Sequence, residues 1–167
     1  ANLTEETFAL IVDTVRTIID AVQPKRTSYT LEPMPWMYPH SADSYLDLLK
    51  AIDRTQFGVH VDMVNVVNSP ERYFSNGALI REWFGKLGPY VRSCHAKDTL
   101  LSTKLTTHLD EVRPGLGALD YRVLLVEIDR LEPDMPLMIE HLQTEEDYRL
   151  AAAYIRGVAA ELGLAFR

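Results

Sequence analysis

The strongest constraint on this chain is an alternation. Four short apolar, strand-like runs at residues 28–32 (SYTLE), 58–62 (GVHVD), 91–95 (VRSCH) and 137–140 (LMIE) each end on an acidic or imidazole residue, and helical periodicity follows. Strands separated by helices return the chain to the same end each time. They therefore lie parallel, joined by right-handed crossovers, and cannot close as tight hairpins. In such a sheet all strand C-termini open onto one face. The spacing thus predicts that Glu32, Asp62, His95 and Glu140 converge there, one from each repeat. Three carboxylates and one imidazole form a donor set for a hard or borderline divalent cation. The other reading is four unrelated polar residues at strand ends.

The helices read clearly. Phe8, Ile11, Val12, Val15, Ile18, Ile19 and Val22 form one apolar stripe at helical spacing, and Pro24 ends it. A second helix starts at Ser41 or Asp43, with Tyr45, Leu48, Leu49 and Ile52 inward. A third covers residues 76–87, with Ile80, Trp83, Phe84 and Leu87 on one face. Asp120 caps a fourth, and Thr144 with Asp147 resembles a capping box for the last. Trp83 and Tyr148 are expected in the core. The stretch 33–39 (PMPWMYP) carries three prolines and reads as a stiff loop above the first strand. Residues 99–119 show no clear period and read as a long loop over the site. His60 alternates onto the face of Asp62, whereas Cys94 points away from that of His95.

The order is one helix, then four βα units, with no internal linker, so residues 1–167 form a single α/β domain. Two architectures accommodate this: an open doubly wound sheet, or the C-terminal half of an eight-stranded (β/α)8 barrel, which takes about 250 residues when whole. No strand–helix turn carries the glycine fingerprint of dinucleotide binders, which weighs against the first.

Composition narrows the function. A net charge of −7 argues against a nucleic-acid surface, which needs a basic stripe. One cysteine excludes an internal disulfide and fits a reducing, cytoplasmic setting. No apolar stretch approaches a membrane span, and no signal pattern opens the chain. The first residue leads straight into a helix, so preceding residues are expected to be missing.

Leu31-Glu32-Pro33, Val61-Asp62, Cys94-His95-Ala96-Lys97-Asp98, the run from Pro114 to Asp120 (PGLGALD) and Ile139-Glu140 together resemble the xylose isomerase-like TIM barrel superfamily. That group holds sugar and sugar-phosphate isomerases and epimerases, inosose dehydratase and AP endonucleases. The resemblance covers nearly the whole sequence but only the C-terminal half of the family's barrel. It implies a barrel half, with the N-terminal half absent. It also implies one bound divalent ion (Mn²⁺ first, with Mg²⁺, Co²⁺ or Zn²⁺ as alternatives) on Glu32, Asp62, His95 and Glu140. Glu32 and Glu140 would serve as the acid/base pair on opposite sides of the sugar. Ketose 3-epimerases carry a substrate-contacting His where this chain has Asn65, and an Arg where it has Leu101.

The expected activity is a metal-dependent isomerase or epimerase of a sugar or sugar phosphate. It would abstract a proton beside a carbonyl through an enediolate. The rivals are an inosose dehydratase-like lyase, an AP endonuclease-like phosphodiesterase and a non-catalytic half-barrel binding module. Candidate substrate contacts are Trp36, His60, Asn65, Lys97, His108 and Arg113. The plain structural alternatives are packing under the proline-rich loop for Trp36, a packed barrel position for His60, an ion pair with Asp98 for Lys97, and solvation for His108 and Arg113. Four strands leave two open edges, so pairing with the missing barrel half, or a homo-oligomer, is expected.

Overall fold

The computed structural model describes residues 2–166. Its helices are α1 (Glu5–Val22), α2 (Ala42–Ile52), α3 (Met63–Val66), α4 (Pro70–Phe74), α5 (Asn76–Leu87), α6 (Tyr121–Asp129) and α7 (Glu145–Glu161). Its strands are β1 (Tyr29–Leu31), β2 (Phe57–Val61), β3 (Val91–Ala96), β4 (Asp98–Leu101), β5 (Leu109–Val112) and β6 (Leu137–Ile139). Strands β1, β2, β3 and β6 form one sheet in that order, and every pairing is parallel. The expected α/β architecture of consecutive parallel βα units is what the chain adopts.

Local chemistry explains the boundaries. The Thr4 hydroxyl accepts the Thr7 N–H to start α1, and Gln23 ends it in the left-handed region just before Pro24. Ser41 and Ser44 form a reciprocal capping box at α2, so Ser41 is the cap and Asp43 lies inside the first turn. The core lies between sheet and helices. Tyr45, Leu48 and Ile52 from α2 meet Ile80, Trp83 and Leu87 from α5, Leu124 and Leu125 from α6, and Val59 and Val61 of β2. Each such aliphatic or aromatic side chain contributes about 1.5–3 kcal/mol on burial. Two sequence readings fail at this level. Val22 is 69% exposed, so the α1 stripe ends a turn earlier than expected; Tyr148 is 38% exposed and is not core.

One buried hydroxyl fixes the sheet where it matters. Tyr45 Oη accepts the N–H groups of Leu31 (3.1 Å) and His60 (3.2 Å) and donates to Leu31 O at 2.5 Å. It joins the ends of β1 and β2 at the point where the β2–β3 register shifts, between Val59 and His60.

The stretch 99–119 is not a structureless loop. It contains the antiparallel hairpin β4–β5, paired from Asp98↔Val112 to Leu101↔Leu109. Each arm is four residues long, too short for alternation to register as a strand signal. Among the described residues no helix is long and apolar enough to cross a membrane.

Candidate active site

Register places the functional side chains. Leu31 pairs with Val59, Val61 with Cys94 and Ala96 with Ile139. One residue further on, Glu32 falls beside His60, Asp62 beside His95 and Lys97 beside Glu140. Glu32, Asp62, His95 and Glu140 each present a ligand atom, and the four atoms lie within 4.8 Å of one another. His95 Nδ1 lies 3.2 Å from Asp62 Oδ2, 3.4 Å from Glu32 Oε1 and 3.0 Å from Glu140 Oε1. A single ring nitrogen carries one proton or one lone pair and cannot serve three carboxylates.

Lys97 completes the cluster. Its ammonium lies 2.8 Å from Asp62 Oδ2, 2.5 Å from Glu140 Oε1, and 3.7 Å from both Glu32 and Glu111. The side chains of Asp62 and Lys97 are 1% and 2% exposed, whereas Glu32 and Glu140 are 31% and 26% exposed. Asp62 and Lys97 are thus the floor, and the two glutamates form the rim open to solvent. Two polar atoms of this region, Glu140 Oε1 and His60 Nε2, are buried without a well-formed hydrogen bond.

The electrostatics follow from crowding. Burial raises the Asp62 carboxyl, but the bonds to His95 and Lys97 outweigh it and hold the group well below the usual carboxylate range. Burial and the neighbouring Asp62 raise Glu32. For His95 burial lowers the pKa, yet Asp62 and Glu140 carry it above the ordinary imidazole value. His60 goes the other way: burial, then the facing His95, brings it down to about 4.

The family model for xylose isomerase-like TIM barrels matches residues 2–158. The chain belongs to this family. No curated protein matches the sequence. Among solved structures, the chain resembles a xylose isomerase domain protein from Planctomyces limnophilus at 21% identity and a TM-score of 0.73, over 96% of this chain and 54% of that one. A xylose isomerase-like TIM barrel protein from Mycobacterium smegmatis, solved in complex with magnesium, is 17% identical at a TM-score of 0.70 (95% of this chain, 53% of that one). A D-psicose 3-epimerase from Clostridium cellulolyticum H10, solved with D-tagatose, is 14% identical at 0.67 (95% and 58%). At these identities the likeness shows the fold. The chain spans about half the length of these solved relatives.

In this xylose isomerase-like chain the six expected substrate contacts have different fates. Asn65 sits in the cluster and donates from Nδ2 to Glu32 Oε1 at 2.9 Å. His60 lies across from Ser93, with Nδ1 2.6 Å from Ser93 Oγ. Lys97 is no ion pair of Asp98: it points the other way, into the carboxylates. Trp36 is 62% exposed on the proline-rich loop, which rules out packing beneath it. His108 is exposed at the end of the β4–β5 hairpin, its ring 3.3 Å from Leu105 O. Arg113 lies against the first turn of α7, with Nε 3.4 Å from Asp147 Oδ1.

Three residues play parts that the sequence reading did not assign. Glu111, on β5, reaches Lys97 and lies 3.1 Å from His141 Nδ1. Ser93 holds His60. Asp98 organises the segment after the hairpin, accepting N–H bonds from Thr99, Gly115, Gly117 and Leu119. Ser93 left a sequence signal, since it alternates onto the face of His95, and Asp98 closes the run from Cys94 that carries the resemblance. A cavity of about 590 Å³, lined by Leu125, Met135, Leu137 and Leu164 among others, lies at the opposite ends of the strands, away from the cluster.

Proposed function

We propose that this chain carries the cation-binding face of a divalent-metal-dependent isomerase or epimerase acting on a sugar or sugar phosphate. The convergence of Glu32, Asp62, His95 and Glu140 within 4.8 Å carries this reading. Three carboxylates and an imidazole fit a six-coordinate, oxygen-preferring ion such as Mn²⁺, with Mg²⁺, Co²⁺ and Zn²⁺ as alternatives. The over-subscribed His95 Nδ1, facing three carboxylates at once, supports the same donor set.

When bound, the ion would supply Lewis-acid polarisation of a sugar carbonyl. The chain's own residues divide the remaining work. Glu32 and Glu140 are the exposed members, on the outer strands β1 and β6, so one can take a carbon-bound proton and the other return it. Asn65 orients the Glu32 carboxylate through Oε1. Lys97 would face a substrate oxygen or phosphate. A cytoplasmic small-molecule enzyme fits this chemistry.

Calorimetric titration of Mn²⁺ should show binding to the wild type and at least about tenfold weaker binding to Glu140→Gln. The wild type should also exchange a substrate C–H proton with deuterated water. Equal Mn²⁺ binding by both proteins would remove Glu140 from the centre, and no exchange with any sugar tested would favour a binding module.

β1 and β6 are the outer strands of the parallel sheet. As part of the same proposal, these edges pair with a further barrel half or a second copy. Light scattering of the isolated chain should show association. A stable, monodisperse monomer would contradict this part of the proposal.

A further inference from the structure

We infer that His60 is an additional metal-facing donor, giving the centre a second imidazole and biasing it toward borderline cations such as Zn²⁺ and Co²⁺. This rests on the metal-dependent reading above and goes beyond its four ligands.

Three observations carry it. His60 is 6% exposed, and its Nε2 is buried with no hydrogen-bond partner among the described residues. An unsatisfied buried polar atom is costly, so a native site that keeps one calls for a ligand. Next, the opposite ring nitrogen is fixed: Nδ1 lies 2.6 Å from Ser93 Oγ, its partner across the strands. In the tautomer that donates Nδ1–H to that hydroxyl, Nε2 presents a lone pair, as a metal-binding histidine does. Finally, the aim is right. The two imidazole rings pack at a steep angle, centroids 4.0 Å apart, and a ring nitrogen of His60 lies within 4.8 Å of ligand atoms of Glu32 and His95.

Two overlapping donor groups therefore share Glu32 and His95. One adds Asp62 and Glu140 and is rich in oxygen; the other adds His60 and holds two nitrogens to one carboxylate. Imidazole donors favour zinc and cobalt over magnesium and manganese.

The full chain loaded with Co²⁺ tests this without reference to turnover. Proton NMR should show two hyperfine-shifted, exchangeable imidazole N–H signals, one each from His60 and His95. His60→Gln should keep one. Ser93→Ala should lose or broaden the His60 signal, because its N–H then exchanges freely with water. Competition between Zn²⁺ and Mn²⁺ should show the preference for zinc falling about 10–100-fold in His60→Gln.

A single imidazole signal in the wild type overturns the inference with no variant needed, so a misfolded His60→Gln cannot rescue it. An unchanged zinc preference in a folded His60→Gln also overturns it, leaving the four-ligand centre intact. Failure of the wild type to bind any divalent cation removes both readings.

Discussion

Asp62→Ala is expected to abolish divalent-cation binding and to lower folding stability by about 3–5 kcal/mol, the cost of leaving a buried charge without its partner. Asp62 is the best-connected carboxylate of the centre. Oδ1 accepts the N–H groups of Val64 (3.0 Å) and Asn65 (3.2 Å), capping α3. Oδ2 meets Lys97 at 2.8 Å and His95 at 3.2 Å. Deletion removes one of the two close carboxylate partners of a lysine ammonium that is 2% exposed, together with the acceptor of two backbone donors. Asp62→Asn separates the effects. It keeps an oxygen for the cap but removes the charge, so it should fold with a smaller loss and still fail to hold the ion. Urea unfolding and Mn²⁺ calorimetry on both variants check this; a wild-type midpoint for Asp62→Ala would sink it.

The contribution of Asp62 to the pH dependence of the metal-free protein has a definite sign. The folded-state pKa of Asp62 is depressed, so its contribution is fully present above the unfolded value of about 3.9. It is lost as the pH falls through the depressed folded value.

Residues at strand ends were legible because they interrupt an apolar run: Glu32 follows Leu31, and Glu140 follows Ile139. A parallel sheet with consecutive order then does the rest, since its tips share one face. What sequence could not convey was how far each strand runs. β3 continues to Ala96, so Ser93, His95 and Lys97 alternate onto the same face. Reading Lys97 as the partner of its neighbour Asp98 ignored that alternation, which sends adjacent side chains to opposite sides. The hairpin was invisible for another reason. Its arms, DTLL and LDEV, hold too few apolar positions to show a period, and the contacts that stabilise them come from Asp98 and from residues some twenty positions on. Glu111 reaches Lys97 only because that hairpin exists.

Asp98→Ala is the second large effect expected, and it acts outside the group of Glu32, Asp62, His95 and Glu140. The Asp98 carboxylate is 1% exposed and accepts four backbone N–H bonds: Thr99 and Leu119 on Oδ1, both at 2.9 Å, and Gly115 (3.0 Å) and Gly117 (3.1 Å) on Oδ2. The chain wraps so closely that a Cβ on Gly117 would lie 2.3 Å from Oδ1 and from Thr99 O, which only glycine avoids. Hydrogen bonds to a charged acceptor contribute about 1.5–3 kcal/mol each, and those to one carboxylate are not additive. A total loss of about 4 kcal/mol or more is expected, a large fraction of the about 5–15 kcal/mol that holds a domain folded. Asp98→Asn is the finer probe. Its amide would turn a donor toward either the Gly115–Gly117 pair or the Thr99–Leu119 pair, so it should loosen residues 113–119 without unfolding the core. Hydrogen exchange should then speed up at Gly115, Gly117 and Leu119 while Leu48 and Ile52 in α2 keep their protection. Because Glu111 pairs with Thr99 across the hairpin, the same variant should release Glu111 from Lys97 and leave Glu32, Asp62, His95 and Glu140 in place. Unchanged exchange across 113–119 in Asp98→Asn would mean that the segment is held by its own turns, and that the carboxylate is incidental.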